Sequence, residues 1–359
     1  MQHMFLIFST CLILIGAQDC KDEKYHFKDK YRKTDLPPGG DDGKVRIESS
    51  IHLRNIMEVN EIQQLLSVEM SIRLYWTDSR IEPNPEYFFE SDSLGQYMNM
   101  DDKCVWMPDI YIDQAKSMRN PTYYNHPASL RIYNNSLMRY SSRFNLDVAC
   151  NMKFHRFPVD EQDCMVRMES YDFTRKKMEI SWRPESESNI SPDISLAKFK
   201  FPNTSFIDYP SVSPYPGIIV KIHLKRKLNY QLTHTYIPSA VFVGIAWLSL
   251  LLPPNYVPGR CMMFMTTLLT LVTLETSVAR LMPPVNYLTV LDIWLVVSIM
   301  FVFICIIEFV IVTHLIRTER EEYAHKFEYA CIICFPILFL IFNLLYWLEI
   351  LPHYCLDEC

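Results

Sequence analysis

The chain has 359 residues, of which 49% are hydrophobic and 21% are charged, and its formal net charge is −6. These averages exclude both a plain soluble globule and a pure bundle of membrane helices, because charge is concentrated before residue 230 and long apolar stretches begin at residue 236. No glycine-rich phosphate loop, metal-spaced histidine and cysteine cluster or convincing nucleophile constellation occurs in the sequence, so an enzymatic function has no support.

The N-terminus opens with a short apolar run, residues 4–16, followed by small and polar residues. This run is too short to span a bilayer comfortably, so residues 1–17 are predicted to be a cleaved signal peptide. A buried strand or a first membrane anchor is the alternative, but the charged residues 21–33 are typical of a solvated N-terminus. Three glycosylation sequons, all before the first long apolar segment, agree with an extracellular location. They are at Asn134, Asn189 and Asn203.

Short segments with alternating polarity and many β-branched or aromatic residues occupy residues 45–227. Examples are residues 67–76, 137–150 and 218–228. They are separated by clusters of Pro, Asn, Asp and Gly, a spacing that is typical of an antiparallel sandwich. The sequence therefore predicts an extracellular β-sandwich over residues 18–234.

Eleven cysteines in a secreted context raise the question of disulfides. Cys11 leaves with the signal peptide. Four others lie in apolar segments and are predicted to be buried free thiols: Cys261, Cys305, Cys331 and Cys334. Of the remaining six, Cys150 and Cys164 enclose a short loop whose closure by a disulfide would contribute about 3 kcal/mol. The other candidate pairs are Cys20 with Cys104 and Cys355 with Cys359.

Four long apolar segments form the C-terminal part of the chain. They cover residues 236–252, 259–280, 288–316 and 327–350. Each can supply about 20 helical residues and cross about 30 Å of hydrocarbon. The predicted fold is therefore a β-sandwich followed by a four-helix transmembrane bundle over residues 235–350. An even number of spans places residues 351–359 outside and residues 317–326 in a short intracellular loop. This orientation depends on the signal peptide and sequons, because the loop charges are mixed.

The second apolar segment carries a mostly hydroxylated face. Residues that share this face at helical spacing are Gly259, Met262, Thr266, Leu269, Thr273, Thr276 and Arg280. The pattern predicts a stripe that lines water, with Leu269 as a hydrophobic constriction that gates by dewetting. Hydrogen bonding of the threonines between helices of one bundle is the alternative. One helix cannot enclose a pore, so a pore requires several subunits around an axis.

Motifs in a fixed order resemble those of the Cys-loop receptors, which are pentameric ligand-gated ion channels. They are the Cys150 to Cys164 loop with its Phe157-Pro158-x-Asp160 core, Trp76-x-Asp78, Trp106-x-Pro108-Asp109, Tyr236-Ile237-Pro238 and Asp292-Ile293-Trp294. The resemblance covers nearly the whole mature chain and is strongest to the glycine and GABA-type anion channels, and we expect an invertebrate origin. It implies a homo- or hetero-pentamer in the plasma membrane, with both termini extracellular, at a synapse or elsewhere. It implies neither a cofactor nor a nucleic-acid partner.

The resemblance also implies a ligand site between neighbouring subunits. On the principal face it points to Tyr111, Glu169, Ser170, Tyr171, Tyr209 and Tyr215. Tyrosines can enclose an ammonium group by cation–π contacts of about 0.5 to 2 kcal/mol each, and Glu169 adds charge. A role in the core or rim is the alternative for any one tyrosine. On the complementary face the resemblance points to Arg73, Ser141 and Arg143, whose guanidinium groups suit a carboxylate or could bridge subunits. The expected agonist is amino-acid-like or an amine.

Signal transmission is implied by a second set of matching residues. Glu61 and Arg226 match an ion pair that couples the two domains, with a surface salt bridge as the alternative. Phe157 and Asp160 match contacts from the disulfide loop to the membrane domain. Their receiving element is residues 282–287, which include Pro283. Agonist binding would shift a two-state equilibrium through these contacts.

Ion selectivity is predicted from the inner mouth, Pro258-Gly259-Arg260, which contains no carboxylate. The positive end of the second helix would face this mouth and favour anions, so the sequence predicts chloride permeation. A cation channel is the alternative, and only Glu275 supports it. A second alternative is a non-conducting binding or assembly subunit, which is consistent with the bulky Met262. An adhesion protein would leave the hydroxylated helix unexplained.

Overall fold

The computed structural model describes residues 25–28, 30–87, 96–98, 104–119, 127–184, 189–209, 213–253 and 256–355. The predicted signal peptide, Cys11, Cys20 and Cys359 lie outside the described residues. The backbone is described at Asn189, Asn203 and Cys355, whose side chains lie outside the description. Asn134 is described in full and is exposed in the turn between two strands.

The first part of the chain forms short and long β-strands. In chain order these are β1 Tyr25–Phe27, β2 Val45–Asn60, β3 Leu65–Thr77, β4 Ile81–Pro83, β5 Gln96–Met98, β6 Ile110–Asp113, β7 Ala115–Arg119, β8 Ala128–Ile132, β9 Leu137–Ala149, β10 Glu161–Ser170, β11 Met178–Trp182, β12 Asn189–Ile190, β13 Phe199–Asp208 and β14 Gly217–Arg226. Burial alternates residue by residue along β10, as expected for a strand with one face on a core. Each of the three segments predicted as strands coincides with a long strand, and two of them extend past its end by one or two residues.

Two sheets enclose the core of this domain. The larger has the order β11-β2-β3-β9-β8-β5, with β12 also on β2 and β7 also on β9, and the smaller has the order β13-β14-β10-β6. Side chains from both sheets meet in one cluster, among them Trp76, Phe144, Val166 and Val220. The predicted sandwich is confirmed, with one difference: β11 and β12 pair parallel with β2, not antiparallel.

A disulfide joins Cys150 and Cys164, which links the end of β9 in the larger sheet to β10 in the smaller one. Cys104 is also disulfide-bonded, and its predicted partner lies outside the described residues. The four cysteines predicted to be free thiols are free, although two of them are exposed and only Cys305 is fully buried.

The second part of the chain is helical. A short α-helical turn, Asn229–Gln231, and a π-helical turn, Leu232–Tyr236, lead into α1 Ile237–Ser249. They are followed by α2 Val257–Ala279, α3 Val290–Arg317 and α4 Glu321–Cys355. Helix α2, helix α3 and the Glu321–Ile350 part of α4 are long and apolar enough to cross a membrane. The continuous helical segment that ends in α1 is the fourth element of the bundle.

The helices extend beyond the predicted ranges. Helical structure begins at Asn229, before the predicted domain boundary at residue 235, because backbone hydrogen bonds continue through polar residues that an apolar pattern does not detect. The predicted intracellular loop, residues 317–326, is reduced to residues 318–320 because α4 starts at Glu321. Acidic residues in its first turn favour this start. Helix α4 also continues into the predicted tail.

Candidate functional site

The predicted principal face brings an acidic residue and tyrosines together. Tyr111 on β6 and Glu169 on β10 are direct cross-strand partners. The Tyr111 hydroxyl donates to the Glu169 carboxylate. The Tyr171 ring, whose side chain is 70% exposed, lies edge-on to Tyr111 with ring centroids 5.6 Å apart. These three side chains form an open surface with one carboxylate between aromatic rings.

Tyr209 joins the same cluster from the other side of Glu169. Its hydroxyl also hydrogen-bonds to the Glu169 carboxylate. The hydrogen bond to Glu169 is the main cause of the raised pKa of Tyr111, whereas burial is the main cause of the raised pKa of Tyr209. Both phenols therefore remain neutral hydrogen-bond donors to one carboxylate at physiological pH.

Ser170 is not on this surface. Its side chain is 1% exposed because alternate residues of β10 face opposite sides, and Ser170 is on the side of the core. The hydroxyl donates to Asp109 Oδ1 over 2.8 Å and accepts from the Phe173 amide over 3.0 Å. Ser170 therefore shapes the turn that presents Tyr171, and its predicted side-chain contact with a ligand is not supported in this conformation. The buried residues Val166 and Met168, which share its position in the alternation, could have indicated this.

Arg175 anchors the segment that carries the remaining tyrosines, a role that the sequence did not indicate. Its guanidinium donates to the Tyr209 carbonyl over 3.0 Å and to the Ser213 carbonyl over 2.9 Å. Its amide donates to the Pro214 carbonyl. Tyr215 follows and is partly exposed. The contact holds the start and end of this loop beside the principal face.

The predicted complementary face is a basic cavity on the outward side of the larger sheet. Arg73 on β3 and Ser141 on β9 are direct cross-strand partners. They line a cavity of about 260 Å³ together with Ser71, Arg143 and Arg54. The backbone of Arg73 pairs within the sheet, but its side chain makes no hydrogen bond or ion pair to any residue in the described part of the chain. Its guanidinium is therefore available to an external anion.

Arg54 is a member of this cavity that the sequence did not indicate. Its Nε donates to Ser71 Oγ over 2.7 Å across the β2–β3 pair. Arg143, by contrast, is paired within the subunit, because its Nε lies 2.5 Å from Glu69 Oε1. The charge of Arg143 is thus compensated, and the two arginines without a carboxylate partner among the described residues are Arg54 and Arg73. Arg54 and Arg73 are therefore the candidate anion contacts without an internal carboxylate in the described part of the chain, whereas Arg143 stays a predicted contact that is already paired with Glu69.

A buried ion cluster lies where the two domains meet. Arg226 at the end of β14 donates through Nε to Asp160 Oδ1 over 2.6 Å and through Nη1 to Glu61 Oε1 over 2.8 Å. Its guanidinium also lies over the rings of Phe157 and Phe199 at 4.7 and 4.6 Å. The Arg226 side chain is only 4% exposed, which excludes the alternative of a surface salt bridge. The predicted coupling residues Glu61, Asp160 and Arg226 therefore form one unit.

The disulfide loop contacts the membrane domain directly. The Phe157 carbonyl accepts from the Leu291 amide of α3 over 3.1 Å. The Tyr287 hydroxyl accepts from the Phe154 amide over 3.1 Å, and its ring stacks on His155 at 3.7 Å. Pro283, earlier in the same connection, is buried. Phe157 therefore contacts the membrane domain as predicted, but at the start of α3. The predicted receiving connection is contacted through Tyr287 by Phe154 and His155, two contacts that the sequence did not indicate.

The predicted pore face of α2 points away from the bundle of its own chain. Met262 and Leu269 are 71% and 67% exposed, and Thr266, Thr273 and Thr276 are exposed as well. The hydroxyls of these threonines donate to carbonyls of their own helix and not to neighbouring helices. Arg280 is exposed at the C-cap, and Gly259 is half-buried at the other end beside the Tyr256 ring. The face is therefore free to meet other subunits or water.

The opposite side of α2 is buried in the bundle. The buried residues there are Arg260, Phe264, Thr267, Leu271 and Val278. Arg260, although it is part of the predicted inner mouth, is 0% exposed and pairs with Glu328 of α4 at 2.6 Å. Its side chain consequently does not contribute to the exposed face of α2.

Two family models match the chain. Residues 23–228 match the model described as the neurotransmitter-gated ion-channel ligand binding domain, and residues 235–329 match the neurotransmitter-gated ion-channel transmembrane region. The glutamate-gated chloride channel of Drosophila melanogaster is 29% identical over 339 residues, which cover 89% of this chain and 73% of that protein. The human gamma-aminobutyric acid receptor subunit rho-2 is 30% identical over 296 residues, which cover 80% of this chain and 62% of that subunit.

Proposed function

Because this chain belongs to the neurotransmitter-gated ion-channel family, we propose that it forms, alone or with related chains, a pentameric plasma-membrane channel that a carboxylate-bearing ligand opens to anions. Members of this family are ion channels and not enzymes. The chain spans 73% of the fly relative's length and 62% of the human one's, so the activity of a whole receptor is part of the proposal. The proposal includes both termini outside the cell and a glycan at Asn134, which is supported by the exposure of this residue.

The observation that carries the ligand class is the pair of arginines in the complementary cavity. Arg54 and Arg73 present guanidinium groups without a carboxylate partner among the described residues. A guanidinium binds a carboxylate through two parallel hydrogen bonds, which makes it specific as well as strong. Ser141 adds a hydroxyl beside Arg73. The ligand's acidic group would lie here.

The other end of the ligand would meet the principal face of the next subunit. Glu169, with Tyr111 and Tyr171 around it, suits an ammonium group through charge and cation–π contacts. Tyr209 and Tyr215 would cover it from the segment that Arg175 anchors. Together the two faces suit an amino acid, and the fly and human relatives carry glutamate and gamma-aminobutyric acid in their names. Glutamate is the first ligand to test, since two arginines can hold two carboxylates.

Acidification below pH 6.5 is expected to strengthen binding of an anionic ligand. Burial, and then Arg54 and Arg73, lower the pKa of His52 from 6.5. A bound anion would offset the repulsion by the arginines and raise that pKa, so binding takes up a proton and is favoured as pH falls. The test is glutamate competition between about pH 7.5 and about pH 5.5 with wild-type protein and His52→Gln. A pH dependence that persists unchanged in the variant would assign it to another group.

The same group has a predictable effect on stability. The folded pKa of His52 lies below the unfolded value, so its contribution to stability is complete above pH 6.5 and is lost as pH falls toward the folded pKa. His52→Gln should therefore reduce the loss of thermal stability on acidification when no ligand is present.

Anion selectivity is supported by the inner end of α2. Residues 253–262 contain no Asp or Glu, and the single buried arginine there is neutralised by Glu328. The start of α2 carries the partial positive charge of its unpaired amides, which favours anions at this mouth. The fly relative's name includes chloride, which also disfavours the cation-selective alternative.

The central experiment is expression of the chain in oocytes with glutamate as the agonist. The expected result is a current whose reversal potential follows the chloride gradient. A reversal potential that follows sodium and ignores chloride would contradict the proposal, and Glu275→Gln would then test the outer half of α2. Amines, gamma-aminobutyric acid and glycine are the comparison ligands.

The exposed face of α2 is expected to line the pore. In a Cys261→Ser background, a charged thiol reagent should block current through Thr266→Cys or Thr273→Cys. Thr267→Cys is the matched control, because Thr267 is the next residue and is buried in the bundle. Equal reactivity at 266 and 267, or none at 266 and 273 in any state, would remove the pore assignment.

Met262 supports a second candidate function, a subunit that binds ligand but conducts only with a partner subunit. Its side chain is 71% exposed on the proposed pore face near the inner end, where five copies would narrow the opening. If the chain alone binds glutamate without current and Met262→Ala restores current, this second function holds. Current from the unmodified chain alone excludes it.

A further inference from the structure

Helix α4 contains a proline, Pro336, well inside its length. Proline has no amide hydrogen, so the carbonyl four residues earlier, that of Ile332, has no donor from its own helix. Within a membrane an unsatisfied carbonyl costs several kcal/mol, because water is not there to replace the donor. Something outside α4 must bond to Ile332.

Trp247 of α1 supplies that donor. Its indole Nε1 donates to the Ile332 carbonyl over 3.0 Å. The carbonyls of neighbouring turns accept from amides within α4. The Ile332 carbonyl is the one that Pro336 leaves without such a donor, so it is the acceptor that the indole satisfies. The contact therefore determines which turn of α4 lies against α1.

One turn closer to the inner end, α4 carries Glu328. Glu328 is four positions before Ile332, so both lie on the same side of the helix. Glu328 Oε1 accepts from Arg260 Nη2 over 2.6 Å. The same Nη2 also lies against the carbonyls of Leu250 and Leu252 just after α1, so its two hydrogens are shared among three acceptors. Arg260 belongs to the first turns of α2, so this single group joins α1, α2 and α4.

The pairing of Arg260 with Glu328 requires a particular position of α4 along the bundle. Arg260 is fully buried, and among the described residues its Nε and Nη1 have no hydrogen-bond partner. Glu308 of α3 is also buried, and its carboxylate oxygens have no partner there either. Among the described residues, Glu328 is thus the carboxylate that Arg260 is hydrogen-bonded to, and this bond requires Glu328 at its present position along α4. A shift of α4 by one turn would move Glu328 about 5.4 Å along the helix axis and break the contact.

We propose that Trp247 and Pro336 are a matched pair that positions α4 along α1, so that Glu328 neutralises Arg260 and holds the inner end of the pore helix. Trp247, Pro336 and Glu328 are positioning residues and touch neither ligand nor ion. The inference rests on the proposed pore role of α2. Its test needs neither agonist nor current. The test can therefore be interpreted even if the proposed channel function is wrong.

The first test is a double-mutant cycle on the assembled protein in detergent without agonist. The measurement is the half-life of the assembly at a fixed elevated temperature. Trp247→Phe should shorten it about fivefold, the factor that corresponds to about 1 kcal/mol for one lost hydrogen bond. In a Pro336→Ala background the same change should have little effect, because residue 336 then supplies its own amide to Ile332. An equal shortening in both backgrounds overturns the matched pair.

The second test joins Trp247 to Glu328. Glu328→Asp should shorten the half-life in the wild-type background and add little after Trp247→Phe, because α4 is then no longer held at the height that Glu328 requires. Tyr329→Phe and Glu322→Gln, both at exposed positions of α4, are the controls and should be additive. Additivity of Glu328→Asp with Trp247→Phe overturns the positioning role. If Glu328→Asp fails to assemble, the first cycle still decides the proposal.

Discussion

Arg226→Gln is expected to abolish agonist-evoked current and to lower the stability of the assembled protein by about 3 to 5 kcal/mol. Arg226 is buried and bonds to Asp160 and Glu61 at the same time. Its removal leaves two buried carboxylates without the guanidinium that neutralises both: among the described side chains, Asp160 keeps only a hydrogen bond from Gln162, and Glu61 keeps only Lys198 at 4.0 Å. Burial of charge that is no longer compensated is the main cause of the expected destabilisation.

The loss of current has a separate cause. Arg226 is the last residue of β14, and Asp160 belongs to the disulfide loop whose Phe157 carbonyl accepts from Leu291 of α3. A movement of β14 is therefore transmitted through Arg226 to the loop and from the loop to the membrane domain. Without Arg226 the ligand-binding domain can rearrange while the contact with α3 stays unchanged.

Two comparisons separate stability from coupling. Arg46→Gln is the matched control, because Arg46 also pairs with an aspartate, Asp42, at 3.0 Å but is exposed, and little change is expected. Replacing Arg226, Asp160 and Glu61 together by Gln, Asn and Gln should recover much of the stability, since no unpaired charge remains. The measurements are thermal unfolding of the purified assembly and current per surface receptor. Full agonist-evoked current in the triple variant would show that the charges serve stability alone.

Arg73→Gln is expected to raise the glutamate concentration for half-maximal response about 10- to 150-fold. This range corresponds to the loss of one hydrogen bond to a charged group, about 1.5 to 3 kcal/mol. Stability should hardly change, because the Arg73 side chain has no hydrogen bond or ion pair to lose in the described part of the chain. Binding can therefore be altered without altering the fold.

Further variants at Arg73 and Arg54 identify how the arginines contact the ligand. Arg73→Lys keeps the charge but loses the planar fork, so an intermediate shift is expected. Arg54→Gln should give a shift of similar direction, and the double variant should be less than additive if both arginines contact one ligand. Displacement of labelled glutamate measures binding apart from gating. An unchanged affinity in Arg73→Gln would place the acidic group of the ligand elsewhere.

The elements themselves could be predicted because each leaves a local pattern. The alternation of burial along β9 and β10 and the long apolar runs of α2, α3 and α4 are properties of consecutive residues. The ends of the helices could be predicted less accurately, because polar residues such as Asn229 are helical without belonging to an apolar stretch. The predicted exposed face of α2 was recognised from its spacing alone.

The partners of individual side chains could not be predicted in the same way. The Arg54 side chain hydrogen-bonds to Ser71 because the pairing of β2 with β3 shifts in register near residues 53–55. The register of a strand pair cannot be predicted from either strand alone. The sequence does not distinguish Arg143 from Arg73 as a contact for an anion. Only the fold shows that Arg143 is paired with Glu69. Ser170 could have been excluded from the alternation of β10, which was a signal present in the sequence.

The sequence by itself determined the order of a β-sandwich and membrane helices, the free cysteines and the polar stripe of α2, because period, length and polarity depend on near neighbours. The tertiary structure decided which charges are neutralised and which are available. Arg226 and Glu61 are 165 residues apart, and Arg260 and Glu328 are 68 apart. Electrostatic and hydrogen-bond energies depend on distances in space that fall within a few ångströms only after the chain has folded.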